Sequence, residues 1–149
     1  MEGCLACDLA EGRRDLPGGV ILEEGGWIVE HCVGPLGVGT LIVKTRRHVA
    51  HVWELEEEEA AELGPLLRRV SSVLARLTNA DQVYICVWAH GADEPHHIHF
   101  VVQPVTRALI EEIGERGPSL QSAMFQRAVY PPRHELERFA DRARSELPA

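Results

Sequence analysis

The chain has 149 residues, of which 45% are hydrophobic and 26% are charged, and its formal net charge is -8 at pH 7. This length suits one domain with a hydrophobic core. The acidic balance excludes broad electrostatic attachment to a nucleic-acid polymer or to an anionic membrane. No apolar run approaches the ~20 residues that span a bilayer, and the first residues lack the features of a signal peptide. We therefore expect a single cytoplasmic domain over residues 1–149, with no membrane partner and no nucleic-acid polymer as partner.

The first half of the chain contains two candidate strands and one long candidate helix. A polar, Gly-rich stretch runs to about Gly26, and residues 27–32 and 39–44 then read as strands joined by a Gly-Pro turn. Within residues 55–77, leucines and valines recur at three- and four-residue spacing, which predicts an amphipathic helix. The dipeptide at 64–65, Gly-Pro, predicts either a kink or a restart of this helix.

The second half adds strands and a terminal helix. Residues 82–88 predict a third strand, residues 96–104 a fourth, and residues 133–147 a charged helix. Strands, one main helix, and then further strands and helix favour an α+β domain with a mainly antiparallel sheet, one long helix and a C-terminal helix.

Residues 96–104 read His-His-Ile-His-Phe-Val-Val-Gln-Pro and are the most informative part of the sequence. Side chains alternate between the two faces of a strand, so His97, His99 and Val101 are predicted to share one face. Imidazole has an unperturbed pKa near neutrality and can act as nucleophile, acid, base or metal ligand. Two strand histidines can also be merely solvated, so further features are needed to decide between these interpretations.

Four residues distributed along the chain form a possible metal-ligand set. Cys4 and Cys7 have the Cys-x-x-Cys spacing at which two thiolates bind one metal ion, and zinc prefers four N or S ligands in a tetrahedron. With His48 and His97, these cysteines complete a Cys₂His₂ set. The other two cysteines, at positions 32 and 86, lie in apolar runs and are interpreted as inert core residues.

Positive charge is sparse but locally concentrated after the second candidate strand. Lys44, Arg46 and Arg47 lie close together in sequence and could attract a small phosphorylated ligand, which needs only local charge. Two arginines at a strand end are more often simply solvated. The sequence leaves both alternatives open.

Taken together, these motifs resemble the histidine-triad superfamily, including its galactose-1-phosphate uridylyltransferase branch. The family motif is His-φ-His-φ-His-φ-φ, where φ is apolar, and alignment on Pro104 places its three histidine positions at His97, His99 and Val101. Zinc-binding members combine an N-terminal Cys-x-x-Cys with the first motif histidine and with a histidine that ends a Pro-Lys-Arg-His-like segment, here residues 45–48. The resemblance covers about residues 4–105 and leaves 106–149 as a C-terminal helical extension.

The resemblance implies a histidine-triad-like fold and nucleotidyl transfer through a covalent intermediate. In this interpretation His99 attacks the α-phosphorus of a dinucleoside polyphosphate or a nucleoside phosphoramidate, and covalent catalysis divides one displacement into two. The second catalytic position is His97, which also binds a structural zinc ion with Cys4, Cys7 and His48. The nucleotide is expected to contact His31, His90 and Gln103. A homodimer is expected, with the two sheets joined across an edge strand.

The sequence departs from the family pattern in two places. Val101 replaces the third histidine, and the stretch before the motif lacks the usual Gly-Gln-Ser-like residues, for which His90 is the better substitute. Loss of one acid or base group typically costs ~10²–10⁴ in rate, so the rival hypothesis is a non-catalytic nucleotide-binding module. A second register also stays open, in which His97 attacks, His99 is the third histidine and His96 binds the metal.

Overall fold

The computed structural model of the protein describes residue 1, residues 3–88 and residues 95–149. Its strands are β1 (Val20–Glu24), β2 (Trp27–His31), β3 (Leu41–Thr45), β4 (Gln82–Val87) and β5 (His99–Val105). Its α-helices are α1 (Leu5–Ala10), α2 (Glu57–Thr78), α3 (Arg107–Ile113), α4 (Gly117–Arg127) and α5 (Arg133–Glu146), and a 3-10 helix covers Val52–Glu54.

The strands form one five-stranded sheet in the order β1-β2-β3-β5-β4, and every neighbouring pair is antiparallel. The predicted α+β class with a mainly antiparallel sheet is therefore confirmed. None of the described helices has the length and apolar composition needed to span a bilayer.

The strand β1 lies inside the stretch that the sequence analysis interpreted as polar and Gly-rich. It forms a hairpin with β2, in which Glu24 pairs with Trp27 across Gly25 and Gly26. Gly25 has a φ of +56°, a conformation that glycine adopts without the steric penalty of a side chain. A two-residue Gly-Gly loop is a strong hairpin signal, so the strand was identifiable from sequence.

The long helix α2 is continuous through Gly64-Pro65, so of the two predicted alternatives, a kink or a restart, the restart is wrong. It begins with a capping box between Glu56 and Glu59 and ends at Asn79, which has a left-handed conformation. Pro65 lies within the helix and removes one backbone N–H. The carbonyl of Ala61 therefore has no helical hydrogen bond from residue 65. Ala61 and Pro65 are both exposed, so water can donate to this carbonyl instead.

The sheet has two covered faces, and the C-terminal helices contribute to both. On one face, α2 and α5 enclose a core that includes Trp27, Val43 and Val102. On the other, α4 packs against Val101 and Val105 through residues that include Leu120 and Met124. The segment 106–149 is thus more than a peripheral extension, because α5 completes one core and α4 covers the sheet beside the histidine motif.

A fully buried histidine fixes the end of β2. His31 is 1% exposed; its Nδ1 lies 2.8 Å from the carbonyl oxygen of Cys32, and its Nε2 accepts a hydrogen bond of 2.8 Å from the amide of Gly39. A carbonyl only accepts and an amide N–H only donates, so these partners select the neutral tautomer with hydrogen on Nδ1. Burial lowers the pKa of His31 below its ordinary value, with the Cys32 carbonyl opposing the shift.

This buried histidine is expected to make the protein sensitive to acid. Because the folded-state pKa of His31 is depressed, the unfolded chain binds the proton first as the pH falls below about 6.5, and stability declines by up to about 1.4 kcal/mol per pH unit. His31→Gln retains one donor and one acceptor but does not titrate. Urea unfolding between pH 7.5 and pH 5 should therefore show a shallower loss of stability in the variant, and equal slopes would contradict this role.

Candidate functional site

Two cysteines and two histidines converge between α1 and the start of β5. The ligand-type atoms of Cys4, Cys7, His48 and His97 all lie within 4.8 Å of one another. The Cys7 Sγ atom is 3.3 Å from His48 Nδ1 and 3.5 Å from His97 Nδ1, and Cys4 Sγ is 3.8 Å from His97 Nδ1. Zinc bond lengths in tetrahedral geometry require S···N separations of about 3.6 Å. The four side chains thus have the donor types and the spacing of a Cys₂His₂ zinc site.

The surroundings of His97 prepare it as a metal ligand. Its ring is 4% exposed, and its Nε2 lies 2.7 Å from the carbonyl oxygen of Thr45, which fixes hydrogen on Nε2 and leaves the Nδ1 lone pair facing the sulfurs. Burial lowers the pKa of His97 to about 4, so the neutral, metal-binding form prevails. Since both nitrogens are engaged, neither is left to attack a ligand.

The pKa of Cys7 shifts in the opposite direction to that of His97. Burial, followed by the hydrogen bond with Cys4, raises the pKa of the Cys7 thiol. Two crowded thiols resist ionisation when no cation is near, whereas a divalent ion at their centre stabilises both thiolates. Burial likewise lowers the pKa of His48. The cluster therefore has two histidines whose neutral form is favoured and a Cys7 thiol whose ionisation a bound cation would promote.

His99 is the first residue of β5 and differs from His97 in what its ring contacts. Its Nδ1 lies 2.9 Å from the carbonyl oxygen of His97, so hydrogen is on Nδ1 and the lone pair is on Nε2. This Nε2 has no hydrogen-bond partner among the described residues. The strand begins three residues later and ends one residue later than the predicted 96–104. His97 lies before it, with its Nδ1 near the sulfurs of Cys4 and Cys7. From His99 onwards the predicted alternation holds, with Val101 and Phe100 packing on opposite faces.

A cavity of about 420 Å³ opens beside His99, between α1 and α4. Ligand pockets are typically about 300–1,000 Å³, so its size suits a small organic ligand such as a nucleotide. Most of its wall is apolar, and its polar floor is made by few side chains. The residues that bear on the chemistry are Glu30, Lys44, His99 and Val101, with Trp88 and Phe125 at the exposed rim.

The floor of the cavity contains a buried ion pair that the sequence analysis did not identify. Lys44 Nζ is 2.7 Å from Glu30 Oε1, and both side chains are almost fully buried. Burial raises the pKa of Glu30, and the ammonium of Lys44 opposes the shift. Of the predicted basic cluster, only Lys44 is among the described residues that line the cavity; Arg46 pairs with Glu23, and Arg47 pairs with Glu59.

The structure places two of the three predicted nucleotide contacts, His31 and Gln103, outside this cavity. His31 shares its face of β2 with Trp27 and packs edge-on against Phe139, on the side opposite His99. The buried amide of Gln103 is satisfied by Gln121 and by the carbonyl of Leu36, below α4. Neither of these two lines the cavity, because polar partners in the core already hold each side chain. The third, His90, lies outside the described residues.

A scan of family models and a search of curated proteins find no match to this sequence. Solved structures do match in fold. A Hit-like protein from Bartonella henselae described as involved in cell-cycle regulation is 15% identical, with a TM-score of 0.71 over 94% of this chain and 93% of the other. A hypothetical histidine triad nucleotide-binding protein from Sulfolobus tokodaii is 15% identical, with a TM-score of 0.67 over 94% and 89%.

A Zn-bound histidine triad family protein from Mycobacterium smegmatis is 20% identical, with a TM-score of 0.61 over 83% of this chain and 94% of the other. At these identities the likeness concerns the fold, and it spans most of each chain. Combined with the antiparallel sheet and the position of the histidine motif in β5, these matches show that the chain has the histidine-triad fold.

Proposed function

We propose that this chain is a nucleotide hydrolase or nucleotidyl transferase that acts at the α-phosphate through a covalent nucleotidyl-histidine on His99. The observation that carries the proposal is the fixed tautomer of His99: its Nδ1 is held by the His97 carbonyl, and the ring lines a cavity of nucleotide size. The substrate classes are dinucleoside polyphosphates and nucleoside phosphoramidates, both of which place a leaving group on the α-phosphorus.

The chemistry follows from a neutral imidazole. The Nε2 lone pair forms a bond to phosphorus while the bond between phosphorus and the leaving group breaks; the leaving group retains that electron pair and, when it is an amine, takes up a proton from solvent. Water or another acceptor then displaces the imidazole and releases its proton to solvent. The imidazole recovers its electron pair on Nε2, and the product is a nucleoside monophosphate or its ester. The Nδ1 hydrogen bond to the His97 carbonyl stabilises the positive charge that the ring carries in the intermediate.

Zinc is the metal that we propose for the neighbouring cluster. Cys4, Cys7, His48 and His97 supply four soft or borderline ligands, a complete set that suits a structural ion and leaves no position for a substrate. Zinc so placed would hold His97, whose carbonyl orients His99. The role of the ion in this proposal is to fix the nucleophile rather than to act on phosphate.

The alternative is a non-catalytic nucleotide-binding module, favoured by valine at the third histidine position. An adenosine phosphoramidate with a fluorogenic amine as leaving group separates the two. Steady release of the fluorophore and of AMP, in excess over protein, supports the enzyme. Binding of AMP by calorimetry without release of the fluorophore supports the module, and failure to bind AMP or other nucleoside monophosphates contradicts both.

We also propose a homodimer in which β4 of two copies pair along their outer edges. The strand β4 lies at the end of the sheet, and Ile85 and Trp88 expose 45% and 54% of their surfaces beside that edge. An apolar open edge is prone to pair with another strand. The cytoplasmic location and the absence of a nucleic-acid polymer partner stay predictions from composition.

The dimer can be tested with one charge at this edge. Ile85→Lys is expected to yield a monomer by light scattering coupled to size exclusion, because a lysine at the centre of a paired edge opposes association. Val129→Lys, at an exposed apolar residue that follows α4 and lies outside the sheet, is the control and should leave the dimer intact. A wild-type protein that elutes as a monomer would contradict the proposal.

A further inference from the structure

The ion pair in the cavity floor has unused hydrogen-bonding capacity. Lys44 Nζ donates to the carbonyl oxygen of Ala6 at 2.9 Å and to Glu30 Oε1 at 2.7 Å. An ammonium has three donors, so one N–H has no partner among the described residues. The second carboxylate oxygen of Glu30, Oε2, is buried and has no hydrogen-bond partner either. One donor and one acceptor thus stay unsatisfied in the cavity floor, where both side chains are shielded from solvent.

Such a pair is poorly explained by stability alone. Transferring two charges from water to a protein interior costs several kcal/mol per ion, and a buried ion pair is often no more stable than apolar side chains of the same size. The surrounding floor is apolar, with Ile42 and Val101 beside the pair. A role in function therefore explains the burial of these two charges better than a contribution to stability.

The position of Lys44 relative to the candidate nucleophile is specific. Lys44 and His99 are directly paired residues of β3 and β5, and paired residues of adjacent strands have Cβ atoms about 4.5–5.5 Å apart. Lys44 is also the sole lysine or arginine among the described residues that line the cavity. A phosphate bound at His99 therefore lies over this one permanent cation, which is shielded from solvent in the cavity floor.

We propose that Lys44, held by Glu30 and shielded from solvent in the cavity floor, turns its third N–H outward when a nucleotide binds, donates a hydrogen bond to the phosphate that His99 attacks, and so supplies the contact that Val101 cannot make. This inference rests on the function proposed above. Lys44 is a catalytic residue in this scheme, because it touches the reacting phosphate, and Glu30 is a positioning residue. No proton is transferred in this contact: the ammonium stays charged and stabilises the charge that develops on the non-bridging oxygens.

Matched ligands with and without phosphate test this contact. Calorimetry gives the dissociation constants of adenosine and AMP, and of guanosine and GMP, and their ratio reports what the phosphate adds to binding. The wild-type protein is expected to prefer the monophosphates. Glu30→Gln should increase that preference, because it removes the anion that competes for Lys44. The double variant Glu30→Gln/Lys44→Met should decrease it by about 10- to 100-fold, the contribution of one charge-assisted hydrogen bond.

The opposite signs of the two effects distinguish a phosphate contact from a structural role, which would weaken nucleosides and monophosphates together. A preference that is unchanged in the folded double variant overturns the role of Lys44 and leaves the nucleotide function standing. Wild-type protein that binds none of the four ligands overturns both proposals.

A measurement on the wild-type protein guards against variants that do not fold. The ¹⁵Nζ resonance of Lys44 is expected to shift on addition of AMP or GMP and to stay in place with the corresponding nucleosides. A resonance that responds equally to nucleosides and monophosphates, or to neither, contradicts the contact.

Discussion

His99→Ala is expected to lower nucleotidyl transfer by on the order of 10⁴-fold or more, because it removes the atom that forms the bond to phosphorus. The binding of a nucleoside should change much less, since the apolar wall of the cavity stays in place. The rate of fluorophore release from an adenosine phosphoramidate, measured at saturating substrate, gives the size of the effect.

Two controls define this result. His134→Ala removes an exposed histidine of α5 and should leave the rate unchanged. It shows whether the loss of a histidine outside the cavity affects the rate. His99→Asn retains a polar group of similar reach but no imidazole, and it should be as inactive as His99→Ala. A His99→Ala protein that retains a tenth of the wild-type rate would show that the phosphate does not pass through this ring.

Cys7→Ser is expected to abolish stoichiometric zinc binding and to destabilise the protein strongly. Where free zinc exceeds its dissociation constant a thousandfold, loss of the ion removes about 4 kcal/mol from the free energy of unfolding. The same variant should also slow turnover, because His97 would lose its anchor and the carbonyl that orients His99 would become mobile. Metal analysis, thermal unfolding and the fluorogenic assay measure these three effects.

The control is Cys86→Ser, which alters a half-buried cysteine outside the cluster. It should retain zinc at one equivalent per chain and unfold near the wild-type temperature. Chelation of the wild-type protein should reproduce the Cys7→Ser effect, and readdition of zinc should reverse it. A wild-type protein that contains no zinc and is unaffected by a chelator would contradict the metal assignment.

Local signals in the sequence predicted the parts of the site that depend on short spacings. Alternation placed His99 and Val101 on one face of a strand, and Cys-x-x-Cys spacing identified the pair that now meets His48 and His97. Each of these predictions needs only the residues of a single strand or a single motif. The missed strand β1 was also local, since its Gly-Gly loop is a hairpin signal that the polar composition obscured.

The predictions about ligand contacts depended on which faces the tertiary structure brings together. His31 lies in a strand near the motif in space, but its position in β2 turns it towards α5, and Glu30 faces the cavity instead. Gln103 shares a face with His99, but α4 covers it. Neither outcome follows from periodicity alone, because it requires the order of the strands and the path of the C-terminal helices.

The sequence contains a signal for the ion pair between Glu30 and Lys44. Each is a charged residue within or at the end of an otherwise apolar strand, and the two strands are consecutive and predicted to be antiparallel. Opposite charges placed in this way indicate a buried ion pair, since isolated buried charges are costly. Its position beside His99 could not be anticipated, because β3 and β5 are distant in sequence and their register is a property of the fold.

The most direct measurement is the chemical location of the nucleotidyl group during turnover. Protein quenched while it processes an adenosine phosphoramidate can be digested under conditions that preserve a phosphorus–nitrogen bond, and mass spectrometry then identifies the modified residue. We expect adenylate on the imidazole of His99. Adenylate on His97, or on any other residue, would contradict this expectation, as would steady turnover in which no modified peptide accumulates even when the acceptor is withheld.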